Sequence, residues 1–247
     1  MPFLTRLKTS LFRAHYKYLS GQKFRIGKCR GAEFVLWPGN YVDRRLWIEG
    51  IYEPEQLKTM IGYAQDVKPD IFLDIGANIG LYTGIIGKNT SIPQIIAFEC
   101  DPRNITMYRT HVQMNNLTER VTLHDIAVGE KEGSIDLYMA SATSTGKSSV
   151  VAPATKEHSV RKVPMKPIDD MLDVKNKTIL IKMDIEGYEL PAIKGMINLL
   201  KNNKCIMQVE ILPDTQEGED TKTFLYDNGY VLSHSIDHDF YFRNFKN

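Results

Sequence analysis

The chain has 247 residues, of which 43% are hydrophobic and 25% are charged. This composition is typical of a globular protein and excludes a collagen-like, low-complexity or wholly disordered chain. No run approaches the roughly 18 apolar residues of a membrane span, and the N-terminus lacks a signal-peptide core. The three cysteines (Cys29, Cys100 and Cys205) are too few and too scattered for a disulfide framework or a zinc site. We therefore expect a cytoplasmic protein with one large domain, residues 50–247, behind an appendage, residues 1–49.

The net charge of +1 hides an uneven distribution, because eight basic residues precede the first acidic one, Glu33. Apolar residues recur there at steps of three and four: Leu4, Leu7, Leu11, Ala14 and Tyr18. Residues 1–20 are therefore predicted to form a basic amphipathic helix. Such a helix can bind an anionic membrane surface peripherally, at the inner membrane face. It can equally pack on the domain or on a second subunit, which is compatible with a homodimer.

Residues 22–48 alternate in a manner typical of β-structure. We expect a β-hairpin that turns at Pro38-Gly39-Asn40 and includes Leu46 and Ile48, followed by a helix near residues 53–65.

From residue 70 onward, short apolar runs alternate with helical stretches. Strands are predicted at 71–75, 94–99, 121–126, 178–184, 205–211 and 230–235, and helices at 81–88, 103–115, 189–201 and 215–228. Strands separated by helices of this length imply βαβ crossovers. The fold class is therefore α/β, with a Rossmann-like, doubly wound, mostly parallel sheet.

A β insertion is expected between the third and fourth strands, where residues 134–140 and 160–165 look extended. The small polar residues 141–149 between them are typical of a flexible loop, which beside a cleft often carries recognition residues. Gly146-Lys147-Ser148 resembles the end of a P-loop, but Ser141 occupies the position of its first glycine.

The first strand ends in Asp74-Ile75-Gly76-Ala77-Asn78-Ile79-Gly80. In open α/β sheets the ligand lies beyond such carboxyl ends. The Gly-x-x-x-Gly spacing departs from the dinucleotide fingerprint and disfavours NAD. Asp74 suits a cofactor with a cationic amino-acid group, although a glycine turn can also be a plain strand-to-helix connection.

The next two strands also end in acidic residues. Glu99 lies 25 positions after Asp74, where a carboxylate can accept bonds from both ribose hydroxyls. Asp125 and the backbone N–H of Ile126 can meet an adenine edge, or Asp125 can be a turn residue.

The fourth strand leads into Asp184-Ile185-Glu186-Gly187-Tyr188-Glu189. Crowded carboxylates raise one another's pKa and favour a proton-accepting role. We expect Glu189 to be a first-turn helix acid and Asp184 to be functional. Lys182 can balance the acidic residues or can be structural.

These segments together resemble the FkbM-type S-adenosylmethionine-dependent methyltransferases. The likeness covers roughly residues 50–235 and depends most on Asp-Ile-Glu-Gly-Tyr-Glu, residues 184–189. The resemblance implies a class I methyltransferase fold with S-adenosylmethionine as cofactor. It implies that Asp74, Gly76, Ala77, Asn78 and Gly80 hold the methionine end, that Glu99 binds the ribose, and that Asp125 and Ile126 bind the adenine.

The resemblance further implies O-methylation of a sugar hydroxyl in a surface glycan, glycolipid or oligosaccharide, or of a polyketide hydroxyl. We expect Asp184 to be the general base, and Glu186 to share its proton or position the acceptor. The spacing requires no metal, although Asp184 and Glu186 are also suited to a divalent cation. An NAD-dependent oxidoreductase, a non-catalytic scaffold and a nucleic-acid methyltransferase are the alternatives, and no nucleic-acid partner is expected.

Overall fold

The computed structural model describes residues 24–152 and 159–246. The basic helix predicted for residues 1–20 lies outside the described residues. No helix in the described part of the chain has both the length and the hydropathy needed to cross a membrane.

A seven-stranded sheet forms the centre of the molecule. Its strands are β3 (Ile71–Ile75), β4 (Gln94–Phe98), β5 (Val121–His124), β9 (Thr178–Met183), β10 (Lys204–Glu210), β11 (Val231–Ile236) and β12 (Asp239–Arg243). Their order is β11-β12-β10-β9-β3-β4-β5. The pairs between β10, β9, β3, β4 and β5 are all parallel. The mostly parallel, doubly wound α/β sheet predicted from the sequence is therefore confirmed.

Strand β12 was not predicted. It pairs antiparallel with both β10 and β11 and so lies between two strands that are parallel to each other. The turn before it contains Asp237, whose φ of 53° allows the chain to reverse tightly.

The helices cover both faces of this sheet. They are α1 (Tyr41–Glu49), α2 (Pro54–Val67), α3 (Leu81–Asn89), α4 (Pro102–Met114), α5 (Glu189–Lys194), α6 (Ile197–Asn202) and α7 (Gln216–Asp227). The single helix predicted for residues 189–201 is divided into α5 and α6. The division falls at Gly195, where a Cβ atom would lie 2.0 Å from the backbone oxygen of Gly129. This close approach explains the glycine. At the break, Gly195 O accepts from Asp169 N at 3.0 Å, and the Asp169 carboxylate accepts from Asn198 N and Leu199 N at the start of α6.

Alternate residues of the central strands enter two separate cores. Ile71, Leu73 and Ile75 of β3 face the helices α5, α6 and α7. Phe72 faces the opposite layer, which contains α2 and α3. Because both faces are covered, the strands are apolar along nearly their whole length, as expected for a parallel sheet.

The N-terminal hairpin turns earlier than predicted. Strands β1 (Arg25–Cys29) and β2 (Ala32–Leu36) pair antiparallel across a turn at Arg30-Gly31. The predicted turn at Pro38-Gly39-Asn40 instead begins α1, because the Asn40 side chain accepts a hydrogen bond from Val42 N at 3.0 Å and caps the helix. Leu46 and Ile48 are accordingly helical. The helix expected at 53–65 is α2.

The hairpin packs directly on the large domain. Phe34 is 1% exposed and lies against Gly84 of α3. His111 of α4 accepts a hydrogen bond from Val35 N at 2.9 Å, and Asn115 bonds both backbone groups of Glu33 at 2.8 Å. The hairpin therefore shares the hydrophobic core of α2 and α3.

The predicted β insertion forms a three-stranded sheet of β6 (Ala127–Val128), β7 (Gly133–Met139) and β8 (Ser159–Lys166). Strand β8 lies in the middle, parallel to β6 and antiparallel to β7.

Replacing Phe34 with alanine should lower the free energy of unfolding by about 3–5 kcal/mol, because a buried ring is lost from the core. Phe24→Ala is the matched control, since Phe24 adjoins the same hairpin but is 62% exposed; its effect should stay within about 0.5 kcal/mol. Urea denaturation measures both. Equal effects of the two variants would show that the hairpin is not part of the cooperative core.

Candidate active site

A cavity opens at the carboxyl ends of the parallel strands. It is lined by the segments that follow β3, β4, β5 and β9, and by Glu210 at the end of β10. The sheet runs from β3 to β4 and β5 on one side and to β9 and β10 on the other, so its topological switch point lies between β3 and β9. This is the place where open α/β sheets bind ligands.

The backbone after β3 is held close to the backbone after β9. Asp184 N donates to Ile75 O at 3.1 Å. A Cβ atom on Gly76 would lie 1.9 Å from the carbonyl oxygen of Asp184, and the φ of Gly76 is +75°. Glycine is therefore required at position 76 by space as well as by conformation.

Asp74 is buried at the tip of β3. Its Oδ2 accepts hydrogen bonds from Thr83 N at 3.1 Å and Thr83 Oγ1 at 2.7 Å. Its Oδ1 is buried and has no partner among the described residues, as is also true of Oδ1 of Asn78. Both residues line the cavity, so the site offers two buried acceptors to a ligand.

Glu99 follows β4 and organises the neighbouring turns. Its Oε2 accepts from Asn78 N at 2.7 Å, and its Oε1 accepts from Cys100 N at 2.8 Å and Asp101 N at 2.7 Å. Burial nevertheless raises the pKa of Glu99 to about 7. Because each carboxylate oxygen has two lone pairs, Oε1 is fully engaged and Oε2 retains capacity for one hydrogen bond from a ligand.

Two of the predicted cofactor residues do not line the cavity. Asp125 lies at the surface, where its carboxylate pairs with Arg109 at 2.6 Å. Gly80 begins α3, and a Cβ atom there would approach the Tyr108 ring at 2.8 Å, so its role is in packing. Gly76, Ala77 and Ile126 do line the cavity.

A row of polar side chains crosses the sheet beneath the cavity. Asp74 of β3 is in register with Lys182 of β9, and Lys182 is in register with Gln208 of β10. Gln208 Nε2 donates to Tyr82 OH at 3.1 Å and to Asp239 Oδ1 at 2.8 Å. The row lies on the α2–α3 face, two residues further along than an apolar row of Phe72, Leu180 and Ile206.

Lys182 and Asp184 form a buried ion pair in this row. Lys182 Nζ donates to Asp184 Oδ2 at 2.8 Å. Burial opposes ionisation of Lys182, but Asp184, Asp74 and Glu53 together raise its pKa above the ordinary value. Burial would likewise raise the pKa of Asp184, yet Lys182 and a hydrogen bond with Glu210 hold it below its ordinary value. Asp184 is thus an anchored carboxylate, unlike the raised-pKa base expected from the sequence.

Glu186, by contrast, is a carboxyl group with a raised pKa next to Asp184. Burial and the neighbouring Asp184 raise the pKa of Glu186 to about 7, against the opposing effect of Lys147. Its backbone has a left-handed φ of 58° and its carbonyl accepts from Ser149 Oγ at 2.8 Å. Glu189 begins α5 as predicted, and its Oε1 accepts from Ile185 N and Gly187 N at 3.1 and 3.2 Å.

Several cavity residues were missed in the sequence. Glu210 is the next-to-last residue of the strand predicted at 205–211, so a search for acidic residues at strand ends, which singled out Asp74 and Asp184, could have found it. Tyr41, Tyr52 and Glu53 come from the N-terminal segment, where no motif pointed to the cavity. Tyr82 OH donates to Glu53 at 2.7 Å.

The polar loop predicted beside the cleft does line the cavity. A 3-10 segment, Ala142–Lys147, contributes Ser144 through Lys147. Thr145 accepts a hydrogen bond from Asn40 Nδ2 at 3.0 Å, and Ser148 donates to Asp101 at 2.9 Å. His111 lies in the hairpin contact, and His158 lies outside the described residues.

A family model described as the methyltransferase FkbM domain matches residues 74–232. This range contains the polar row at Asp74 and Lys182 and all three carboxylates Asp184, Glu186 and Glu210.

The chain belongs to the FkbM methyltransferase family.

Among curated proteins, Methyltransferase 1 of Beauveria bassiana is 22% identical over 195 residues, which cover 68% of this chain and 76% of that protein. Two solved structures are similar. The FkbM methyltransferase of Methylobacillus flagellatus KT matches with 21% identity and a TM-score of 0.51, covering 82% of this chain but only 52% of that one. The SAH-bound Podospora anserina methyltransferase PaMTH1 matches with 14% identity and a TM-score of 0.50, covering 100% and 89%. These likenesses establish the Rossmann-like, class I methyltransferase fold.

Replacing Gly76 with alanine should destabilise this FkbM domain by about 1–3 kcal/mol or more, because the new Cβ meets backbone that cannot move freely. Gly62→Ala is the control: Gly62 lies within α2 with open space around its Cβ position, so alanine should stabilise by about 0.5–1 kcal/mol. Thermal unfolding measures both. A neutral Gly76→Ala variant would contradict the close approach of the two backbones.

Proposed function

We propose that this FkbM-family protein is an S-adenosylmethionine-dependent O-methyltransferase that methylates a sugar hydroxyl in a surface glycan, glycolipid or oligosaccharide. The observation that carries this proposal is the acidic cluster around Lys182 in the cavity at the switch point. A hydroxyl is a weak nucleophile, and an adjacent carboxylate that takes its proton overcomes that weakness.

The residues present fit the cofactor. S-adenosylmethionine carries an ammonium group, two ribose hydroxyls and an adenine. The buried Oδ1 atoms of Asp74 and Asn78 are acceptors suited to the ammonium group. Glu99 Oε2 has one free lone pair and is suited to accept from a ribose hydroxyl. Ile126 offers an apolar wall and a backbone N–H for the adenine, whereas Asp125 is engaged by Arg109 at the surface.

The bound cofactor supplies an electrophilic methyl group on a cationic sulfur. The cavity must hold the acceptor oxygen about 3–3.5 Å from that carbon and in line with the leaving sulfur. Glu186 accepts the hydroxyl proton, because its pKa of about 7 leaves it substantially ionised at neutral pH and still basic enough to bind a proton. Asp184, anchored by Lys182, orients the acceptor by hydrogen bonding.

An aromatic wall near the acidic cluster supports a sugar acceptor. Tyr41 and Tyr52 lie edge to face with their ring centroids 6.4 Å apart, and both line the cavity. Aromatic rings present an apolar face to sugar C–H groups, while Glu53 and Glu186 offer hydroxyl acceptors. This wall precedes the matched region that begins at Asp74. A polyketide hydroxyl would use the same base but would not need further acceptors such as Glu53 for neighbouring hydroxyl groups.

S-adenosylmethionine and S-adenosylhomocysteine should each stabilise the protein against heat. At about 100 times the dissociation constant, one-site binding contributes about 2.7 kcal/mol, or roughly 5–10 °C for a chain of this length. Glu99→Ala should abolish the shift, because the ribose acceptor is lost.

NAD at the same concentration and the exposed variant Glu119→Ala are the controls for this measurement. NAD should give no shift, and Glu119→Ala should keep the shift of the original protein. A shift with NAD alone would replace the methyltransferase proposal with an oxidoreductase. Binding of the sulfur cofactors without transfer to any hydroxyl compound would favour a scaffold.

Glu186→Gln should lower turnover by about 10²–10⁴-fold with little change in cofactor affinity, because only the proton acceptor is removed. Turnover of the original protein should rise as pH increases through about 7, since only the ionised carboxylate accepts a proton. The assay follows S-adenosylhomocysteine release with a panel of methyl glycosides and oligosaccharides.

In the same assay, Asp184→Asn distinguishes the role of Asp184 from that of Glu186. It should also lose turnover, through poorer positioning, but should keep a rise with pH that Glu186→Gln loses. That rise should move below pH 7, because the charge of Asp184 no longer raises the pKa of Glu186. If Glu186→Gln kept both its rate and its pH dependence, Asp184 would become the base again.

A further inference from the structure

Three carboxyl groups meet at the ends of two adjacent strands. Asp184 and Glu186 follow β9, and Glu210 is the last residue of β10; one carboxylate oxygen from each lies within 4.8 Å of the others. Val209 is in register with Met183, so the next residues, Glu210 and Asp184, are neighbours across the sheet. Glu210 therefore lies in the cavity by strand geometry alone.

The positive charge around this cluster is smaller than the negative charge. Lys182 lies 2.8 Å from Asp184 but also faces Asp74 and Glu53. From the 3-10 segment, only Lys147 acts on Glu186, and it acts at longer range. The carboxylate of Glu189 adds a further negative charge from α5. One buried cation cannot keep all of these groups ionised.

The facing carboxylate oxygens of Asp184 and Glu210 lie within 4.8 Å of each other on adjacent strands. Two ionised carboxylates this close together, with one buried cation beside them, repel each other strongly, and a proton on one of them relieves that repulsion. Asp184 already accepts from Lys182, which favours its ionised form. The proton therefore belongs on Glu210.

We propose that Glu210 is a positioning residue: as a neutral carboxylic acid it donates its proton to Asp184, and the chain Lys182–Asp184–Glu210 leaves Glu186 as the ionisable acceptor in the cavity. Burial and the neighbouring Asp184 support this assignment, since they raise the pKa of Glu210 to about 9. The carboxyl pair titrates as a coupled unit, and its proton is held through neutral pH.

Under the proposed function, the proton on Glu210 also affects cofactor binding. S-adenosylmethionine brings a positive sulfonium into the cavity, whereas S-adenosylhomocysteine is otherwise similar and carries a neutral sulfur. Added positive charge favours release of a nearby carboxyl proton. At about pH 8, binding of S-adenosylmethionine should therefore release more protons than binding of S-adenosylhomocysteine, and Glu210 should account for the difference.

The first test needs no ligand. Carboxyl ¹³C NMR of the full chain should show a group that titrates near pH 9 and disappears in Glu210→Gln. The amide of glutamine keeps an N–H donor for Asp184 but cannot titrate. Titration of Glu210 below about pH 6 would overturn the proposal.

If the NMR signals overlap, the pH dependence of the melting temperature provides a second test of the protonation state of Glu210. Because the folded-state pKa of Glu210 is raised, its contribution to stability is fully present below the ordinary glutamate pKa and is lost as pH rises toward about 9. The melting temperature of Glu210→Gln minus that of the original protein should therefore grow between about pH 5 and pH 9. The control Glu219→Gln, whose side chain is 68% exposed, should show a constant difference. A constant difference for Glu210→Gln as well would overturn the proposal.

The third test separates positioning at the site from structural support. Isothermal titration calorimetry in buffers of different ionisation enthalpy counts the protons released by each cofactor. The excess for S-adenosylmethionine should be lost in Glu210→Gln and kept in Glu219→Gln. An excess that survives in Glu210→Gln would show that Glu210 acts in packing alone. If neither cofactor binds, the proposed function fails, while the NMR titration still decides the state of Glu210.

Discussion

The arrangement of the site depends on one buried cation. Lys182 lies in the interior of the sheet, in register between Asp74 and Gln208, with its ammonium 2.8 Å from Asp184. A buried ammonium is tolerated only where carboxylates surround it, and a buried carboxylate needs such a partner in turn. Because Asp184 holds the shortest contact to Lys182, it stays ionised, and the remaining carboxyl groups hold protons at higher pH. The unequal distances to one cation thus give chemically identical groups different roles.

One face of the sheet changes from apolar to polar within two residues along each of three neighbouring strands. Phe72, Leu180 and Ile206 form an apolar row beneath α2 and α3. Two residues further along, about 7 Å toward the carboxyl ends, the same face carries Asp74, Lys182 and Gln208. Their neighbours on the opposite face stay apolar. The polar row is therefore held by packing on both sides, and its side chains have little freedom to move when a ligand enters.

The parts of the fold that follow from hydrophobic pattern could be predicted from the sequence. The five parallel strands and their helices were found because buried strands form short apolar runs. The polar turn after each strand could be identified in the same way, which is why Asp74, Glu99 and Asp184 were recognised. Strand β12 could not be placed, because its position between β10 and β11 is a property of the sheet and leaves no local signal.

Other features depended on contacts between distant segments. The break at Gly195 coincides with its close approach to Gly129 and with the hydrogen bond from Asp169 N to Gly195 O. Helix α1 is a different case, because its cap at Asn40 lies two residues from Val42 and is a local signal that the strand-like alternation of residues 22–48 obscured. The expectation that Asp184 has a raised pKa treated the carboxylates as equivalent. Only the structure shows that Lys182 lies against one of them and that Glu210 joins from the next strand.

Two parts of the chain form the cavity, and they differ in how they can determine which acceptor is bound. The matched region, residues 74–232, supplies the strand ends and the acidic cluster. Tyr41, Tyr52 and Glu53 come from the preceding segment, and Asn40 joins it to Thr145 of the insertion. Apart from Glu53, which faces Lys182 and accepts from Tyr82, these contributors are loops and helix ends that can change without disturbing the buried row around Lys182. Under the proposed function, the chemistry of transfer thus depends on the rigid sheet, and the selection of a sugar depends on segments 40–53 and 142–150. A change of acceptor would then require substitutions in these two segments alone.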